Sequence, residues 1–156
     1  MIDDSLRELY QEVILDHGKN PRNHRHPDDA NAEAKGNNPL CGDRITVYLK
    51  LGDDGKIEDA AFEGRGCAIS QASASLMTEI VRGLAQAEAE SLFDKFHRLC
   101  TEDDYVPETD DTDEEALERL QVLSGVRAFP TRVKCATLAW HTMNAALHGS
   151  KEISTE

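Results

Sequence analysis

Residues 45–63 read ITVYLKLGDDGKIEDAAFE, and this stretch decides the fold. Apolar residues alternate with other residues from Ile45 to Leu51, which is the period-two pattern of a strand with one buried face. Gly52 to Gly55 supplies a turn and residues 57–63 a second strand, so the stretch predicts an antiparallel hairpin. With a third strand predicted at residues 30–35, we expect a small antiparallel sheet of about three strands.

Apolar residues spaced by three and four predict helices before and after this sheet. Residues 4–17 carry such a stripe, and Asp3, Asp4 and Ser5 at its start suit a helix N-terminus. Later stripes begin near residues 68, 92, 117 and 130, and Gly149 ends the last one. The predicted fold class is α+β, with the helices packed on one side of the sheet.

Length and charge limit the classes of function. A chain of 156 residues fits one domain, which we expect to span residues 1–156. No stretch approaches the roughly 18 apolar residues of a membrane helix, and the N-terminus lacks the pattern of a secretory signal, so we expect a cytoplasmic protein. The net charge of -13 repels phosphate and anionic lipid, which excludes nucleic acid and membranes as expected partners.

Two segments have an unusual charge. Residues 101–115 hold nine acidic residues and no basic one, which indicates a solvated insertion. Residues 19–26, KNPRNHRH, form a basic loop with the charge to dock on an acidic partner.

Three of the four cysteines stand where a reactive or metal-binding thiol is expected. Without export signals, cysteines are expected to stay reduced. Cys41 precedes the first strong strand, and Asp43 lies two residues on, so both side chains can point to the same side of an extended segment. Cys67 follows Gly64 and Gly66, which permit unusual backbone angles, and opens a helix whose free amides favour a thiolate.

The third cysteine, Cys135, lies near the start of the last helix beside Arg132 and Lys134. Three thiolates and the Asp43 carboxylate make four ligands suited to tetrahedral zinc, and thiolates also suit an iron-sulfur cluster. A zinc site of this kind carries about -2, so Arg44, Arg132 and Lys134 are candidate counter-charges.

The remaining cysteine and two of the histidines are interpreted as structural. Cys100 ends an amphipathic stretch and is expected in the core. His17 and His141 lie on predicted helices and are interpreted in the same way.

Four segments carry a family resemblance: LYQEVILDHGKNPRN, NPLCGDRI, FEGRGCAISQASASLMTE and FPTRVKCATLAW. In order and spacing they resemble the U-type iron-sulfur assembly proteins, which include IscU, the N-terminal part of NifU, and SufU. The resemblance covers nearly the whole chain and implies a small sheet with packed helices. It also implies that Cys41, Asp43, Cys67 and Cys135 are the ligands of a metal or cluster.

Three departures from the IscU branch favour the SufU branch or change the expected partners. IscU-type proteins place a liganding histidine before the third cysteine, where this chain has Lys134. The chain is also longer between Cys67 and Cys135, largely through the acidic segment. It carries AFPTRVK where IscU-type scaffolds carry an LPPVK segment read by a dedicated chaperone, so handover by that chaperone is not expected.

The SufU resemblance implies a zinc-dependent sulfur acceptor that works with a SufS-type cysteine desulfurase. Docking would free Cys41 from zinc, and its thiolate would then attack the partner's persulfide. Arg132 is the candidate to pair with Asp43 or to steady the released thiolate.

Two other interpretations remain. The same residues would serve a scaffold that assembles a [2Fe-2S] cluster, or binds iron, and delivers the cluster to apo-proteins. A purely structural zinc is disfavoured by Asp43, because structural zinc sites more often use Cys and His.

Overall fold

The computed structural model describes residues 4–39, 42–102, 104–110 and 113–154. The elements follow in the order α1 (Asp4–Lys19), β1 (Ala32–Asn38), β2 (Asp43–Leu51), β3 (Ile57–Arg65), α2 (Ala68–Val81), α3 (Gln86–Thr101), α4 (Glu114–Leu120), a 3-10 helix (Gln121–Ala128), α5 (Pro130–Leu147) and β4 (Glu152–Ser154).

The sheet has the strand order β3-β2-β1-β4. β2 pairs with β1 and with β3 in antiparallel register, which confirms the predicted hairpin and third strand. β4 pairs with β1 in parallel and makes the sheet mixed. The sequence did not predict this strand, because three residues after a helix are too short for an alternating pattern.

The helices form a layer on the sheet, so the predicted α+β class is confirmed. α5 packs on β1 and β2, α2 packs on β3 and α5, and α1 packs on the other side of α2. Gly36 of β1 permits the close approach of α5, because a Cβ there would collide with the side chain of Thr142. The predicted helical stripes fill the core, whose largest fully buried side chains include Phe62, Phe96 and Trp140.

α1 departs from the simple amphipathic pattern. It forms a helix as predicted, but Leu9 of its apolar stripe is 53% exposed and Leu15 is 52% exposed. In α2, by contrast, polar side chains are buried: Ser70, Ser73 and Ser75. They are buried because α1, β3 and α5 all pack against this helix.

The acidic segment and the basic loop predicted from the sequence differ in their contacts. In the acidic segment, residues 104–110 are non-helical and mostly exposed, whereas Asp113 pairs with Lys95 and Glu114 begins α4. In the basic loop, Arg22 pairs with Asp16 at 2.6 Å and Arg25 pairs with Asp59 at 2.8 Å. These internal ion pairs offset the positive charge that would attract an acidic partner.

Among the described residues, no helix has the length and apolar character needed to cross a membrane.

His17 joins α1 to α2 through a buried hydrogen bond. Its Nδ1 lies 2.8 Å from Ser75 Oγ, which also accepts the Arg22 N–H at 2.8 Å. Because the Ser75 oxygen has two lone pairs, it can accept the Arg22 N–H and still form the hydrogen bond with the His17 ring. Burial, with the positive charge of Arg22, holds the pKa of His17 below its usual value of 6.5.

We predict that the metal-free protein loses stability as the pH falls below 6.5, because the unfolded chain then binds a proton that the buried His17 resists. The contribution of His17 to the free energy of unfolding is fully present above pH 6.5, and it is lost as the pH falls toward the lower pKa of His17 in the folded state. His17→Gln removes the titrating group and should flatten the dependence, at a cost of about 1 kcal/mol near pH 8. Urea unfolding at several pH values measures both effects, and an unchanged slope in the variant would contradict this role.

Candidate metal centre

Asp43, Cys67 and Cys135 meet where one end of the sheet faces the first turns of two helices. Their potential ligand atoms all lie within 4.8 Å of one another. The register of β2 on β3 pairs Arg44 with Arg65, which places Asp43 next to the turn that leads to Cys67. The packing of α5 on α2 and on the sheet brings in Cys135 from far along the chain.

Asp43 is the deepest of the three side chains, with no exposed surface. Its Oδ1 accepts the Cys67 backbone N–H at 3.0 Å, and its Oδ2 lies 4.0 Å from Cys67 Sγ. Within the described residues, no ion pair neutralises this carboxylate. Because a buried carboxylate without a cation is costly, the geometry fits a metal ion bound at Oδ2.

The two thiols differ in their surroundings. Cys67 is the N-cap of α2, and its Sγ accepts the Ser70 N–H at 3.5 Å. The Cys67 thiol thus lies at the N-terminus of α2, where the sequence predicted it. Cys135 is only 3% exposed, with Sγ 3.7 Å from the Thr131 carbonyl oxygen. The centre thus has two buried donors and one solvent-accessible thiol.

The two glycines before Cys67 are needed for different reasons. Gly64 has a φ of +133° and lies against the Arg44 backbone, which confirms the predicted unusual backbone angle. The same prediction is wrong for Gly66, which is not among the positive-φ glycines of the described chain. A Cβ at Gly66 would lie 2.5 Å from Asp43 Oδ1, so glycine is required there by the close approach of the carboxylate.

Cys41, the predicted sulfur acceptor and fourth ligand, lies outside the described residues. The loop that contains it is bounded by the paired residues Asn38 and Asp43. The Gly42 N–H donates to the Asn38 carbonyl oxygen at 2.9 Å.

The predicted cationic residues do not face the cluster as ion-pair partners. Arg132 is exposed, with its guanidinium carbon 6.0 Å from the centroid of the Phe129 ring. Lys134 lines a separate cleft between α3 and α5, together with His97 and His141. Arg44 is exposed and follows the buried Asp43 on β2, as strand alternation requires.

Residues that were interpreted as structural lie in the core or against it. Cys100 has no exposed surface, and burial raises the pKa of its thiol to about 12, so it stays protonated. His141 contacts Phe93, with ring centroids 4.9 Å apart, and burial lowers its pKa. Within the described residues, the three-membered donor group contains no histidine.

The arrangement is chemically suited to a four-coordinate thiophilic metal. Around a tetrahedral zinc, neighbouring ligand atoms lie about 3.5–3.8 Å apart. The described atoms are within 4.8 Å, so a small contraction would bring them to this spacing. Two thiolates and one carboxylate leave one position for a fourth ligand.

Comparison with known proteins shows the family and the fold. The model of the NifU-like N-terminal domain matches residues 9–136, so the chain belongs to the NifU-like N-terminal domain family. It is 44% identical to the zinc-dependent sulfurtransferase SufU of Bacillus subtilis, over 89% of each protein. It is 41% identical to the iron-sulfur cluster assembly scaffold protein IscU of Streptococcus pyogenes serotype M1, over 93% of this chain and 86% of that protein.

Solved structures show the same fold. A putative SUF-system scaffold protein from Fervidobacterium islandicum superposes with a TM-score of 0.78 at 34% identity, covering 90% of this chain and 98% of that one. A NifU-like protein (N-terminal) from Brucella abortus superposes with a TM-score of 0.79 at 27% identity, covering 91% of this chain and 94% of that one. The U-type resemblance seen in the sequence is therefore confirmed, and the chain is a protein of iron-sulfur cluster assembly.

We predict that Gly66→Ala weakens metal binding about tenfold or more while the fold survives. The new Cβ would displace the Asp43 carboxylate, at a cost typical of overpacking. Competition with a zinc chelator measures the affinity, and circular dichroism checks the fold.

Gly125→Ala is the matched control, because a Cβ there meets nothing within 4 Å. Its zinc affinity should equal that of the unsubstituted protein. Equal affinity in Gly66→Ala would show that the carboxylate position is unimportant.

Proposed function

We propose that this protein is a SufU-type, zinc-dependent sulfur acceptor that takes sulfur from the persulfide of a SufS-type cysteine desulfurase. The observation that carries the proposal is the buried Asp43 carboxylate, which meets two cysteine thiols and has no ion-pair partner within the described residues. The 44% identity to a protein named as a zinc-dependent sulfurtransferase supports it.

Asp43, Cys67 and Cys135 are the proposed permanent ligands, and Cys41 is the fourth. Bound zinc would keep the cysteines as thiolates and shield that of Cys41. Two of the permanent donors are buried, and the Cys67 N–H holds Asp43 Oδ1. These three donors are thus suited to remain in place when Cys41 leaves.

Sulfur transfer then needs only the thiolate of Cys41 and the donor's persulfide. The thiolate attacks the terminal sulfur, a new S–S bond forms on Cys41, and the donor's own S–S bond breaks. The electron pair of that bond leaves with the donor cysteine as its thiolate. The reaction requires no external oxidant or reductant, because the sulfane sulfur moves between two thiols.

A cluster scaffold is the second candidate function. Relatives over most of the chain are named as IscU scaffold proteins, from Streptococcus pyogenes at 41% identity and from Thermotoga maritima at 40%. The same thiols would ligate a [2Fe-2S] cluster before its delivery to apo-proteins. Lys134 stands where IscU-type proteins carry a liganding histidine, which favours the zinc-dependent sulfur acceptor over the scaffold.

We predict that the protein purified without air contains about one zinc per chain, is colourless and accelerates the turnover of a SufS-type desulfurase. Elemental analysis, the visible spectrum and a turnover assay measure these properties. Brown protein with iron and acid-labile sulfide would instead support the scaffold.

We predict that Cys41→Ala abolishes sulfur acceptance while the fold survives, because the nucleophile is lost. Mass spectrometry after incubation with a persulfide-loaded desulfurase detects the added sulfur. Cys100→Ala is the control, since its buried, protonated thiol lies outside the donor group. Retained acceptance in Cys41→Ala would refute this cysteine as the acceptor.

Arg132 is proposed to steady the Cys41 thiolate after it leaves the metal. The positive charge of this exposed guanidinium, three residues before Cys135, supports the role. Arg132→Ala should slow sulfur transfer and leave zinc content unchanged. Unchanged transfer would remove the role.

A further inference from the structure

The hydroxyl of Ser70, in the first turn of α2, is unpaired among the residues that the structure describes. The side chain has no exposed surface, and no described residue forms a hydrogen bond with its Oγ. Ser73, one turn later, is equally buried, but its hydroxyl donates to the Ala136 carbonyl oxygen. An unpaired buried hydroxyl destabilises a protein, so the hydroxyl of Ser70 requires an explanation.

The position of this hydroxyl links it to the metal centre. The Ser70 backbone N–H donates to Cys67 Sγ at 3.5 Å. Its Oγ flanks the Cα of Gly66 on the same side as the Asp43 carboxylate. The point where a Cβ of Gly66 would stand is 3.1 Å from Ser70 Oγ and 2.5 Å from Asp43 Oδ1.

Asp43 can accept the missing hydrogen bond. A carboxylate oxygen has two lone pairs, and Oδ1 accepts only the Cys67 N–H from the described residues. Carboxylates that bind a metal through one oxygen are commonly held by hydrogen bonds to the other. Contraction of the donor group around an ion would shift Asp43 relative to the first turn of α2.

We propose that Ser70 is a positioning residue whose hydroxyl donates to Asp43 Oδ1 when Oδ2 binds zinc. The inference rests on the proposed zinc site and adds a residue to it. In the metal-free protein the donor is unsatisfied, and in the loaded protein it orients the carboxylate. Ser70 therefore contributes to metal affinity at the expense of the stability of the empty fold.

This role predicts effects of opposite sign for Ser70→Ala. The metal-free variant should melt about 3 °C higher, because an unsatisfied polar group has been removed. Its zinc affinity should fall about threefold to tenfold, because one hydrogen bond to a ligand has been lost. Thermal unfolding with and without zinc, and competition with a chelator, measure the two quantities.

Ser73→Ala is the matched control on the same helix. It loses a hydrogen bond that is present with or without metal, so both forms should melt lower by the same amount, with zinc affinity unchanged. Both substitutions replace serine by alanine in α2, so a general gain in helix propensity would appear in the two variants alike.

A second background tests the assigned acceptor. In Asp43→Ala protein, the additional Ser70→Ala substitution should leave zinc affinity unchanged, because the acceptor is already absent. The inference is overturned if Ser70→Ala binds zinc as tightly as the unsubstituted protein, or if its metal-free form melts lower. If the unsubstituted protein binds no zinc, the proposed function fails together with this inference, whereas normal zinc binding in both proteins removes the inference alone.

Discussion

The hydrogen bond from the Cys67 backbone N–H to Asp43 Oδ1 joins the sheet to the helical layer. It links the first residue of β2 to the N-cap of α2 at 3.0 Å, and its acceptor carboxylate has no exposed surface. The register of β2 on β3 places Asp43 and Cys67 next to each other. The bond also leaves Asp43 Oδ2 facing the thiol of Cys67, so the contact that stabilises the turn prepares the carboxylate for a metal.

The residues packed around this hydrogen bond are small or polar. Gly66 has no side chain because the carboxylate occupies the space beside its Cα. Two buried serines of α2 form hydrogen bonds with neighbouring elements: Ser73 with α5, and Ser75 with His17 of α1. The helix next to the centre is thus held by polar contacts as well as by apolar packing. This is consistent with a site whose donors must keep their positions while one ligand comes and goes.

Burial differs among the three described donors. Asp43 and Cys135 are buried, whereas Cys67 is accessible to solvent. Buried donors resist exchange because their release would leave an uncompensated charge in the interior. Under the proposed function, Asp43 and Cys135 are therefore the described donors best suited to hold a metal while another thiolate reaches a partner.

Much of the fold and part of the site could be predicted from local pattern. Alternation over Ile45–Leu51 and the glycine turn predicted the hairpin, because strand periodicity and turn chemistry act within a few residues. The stripe from Ala136 to Leu147 similarly predicted the buried face of α5. Burial of Cys100 followed from its place in such a stripe. The sequence also showed the chemical types of the donors, and its four motif segments showed which family the chain resembles.

The sequence by itself determined the main helices, the first three strands and which residues have metal-binding chemistry. Only the tertiary structure decided that Asp43 is fully buried, that a Cβ at Gly66 would crowd it and that a fourth strand joins the sheet. The tertiary structure also decided that Arg132 lies over Phe129 and that, among the described residues, the Ser70 hydroxyl beside the centre is unpaired. The physical reason is the distance along the chain over which each effect acts. Periodicity and capping depend on neighbours in the chain, whereas burial, close approach and hydrogen-bond satisfaction depend on segments that meet only when β2, α2 and α5 pack together.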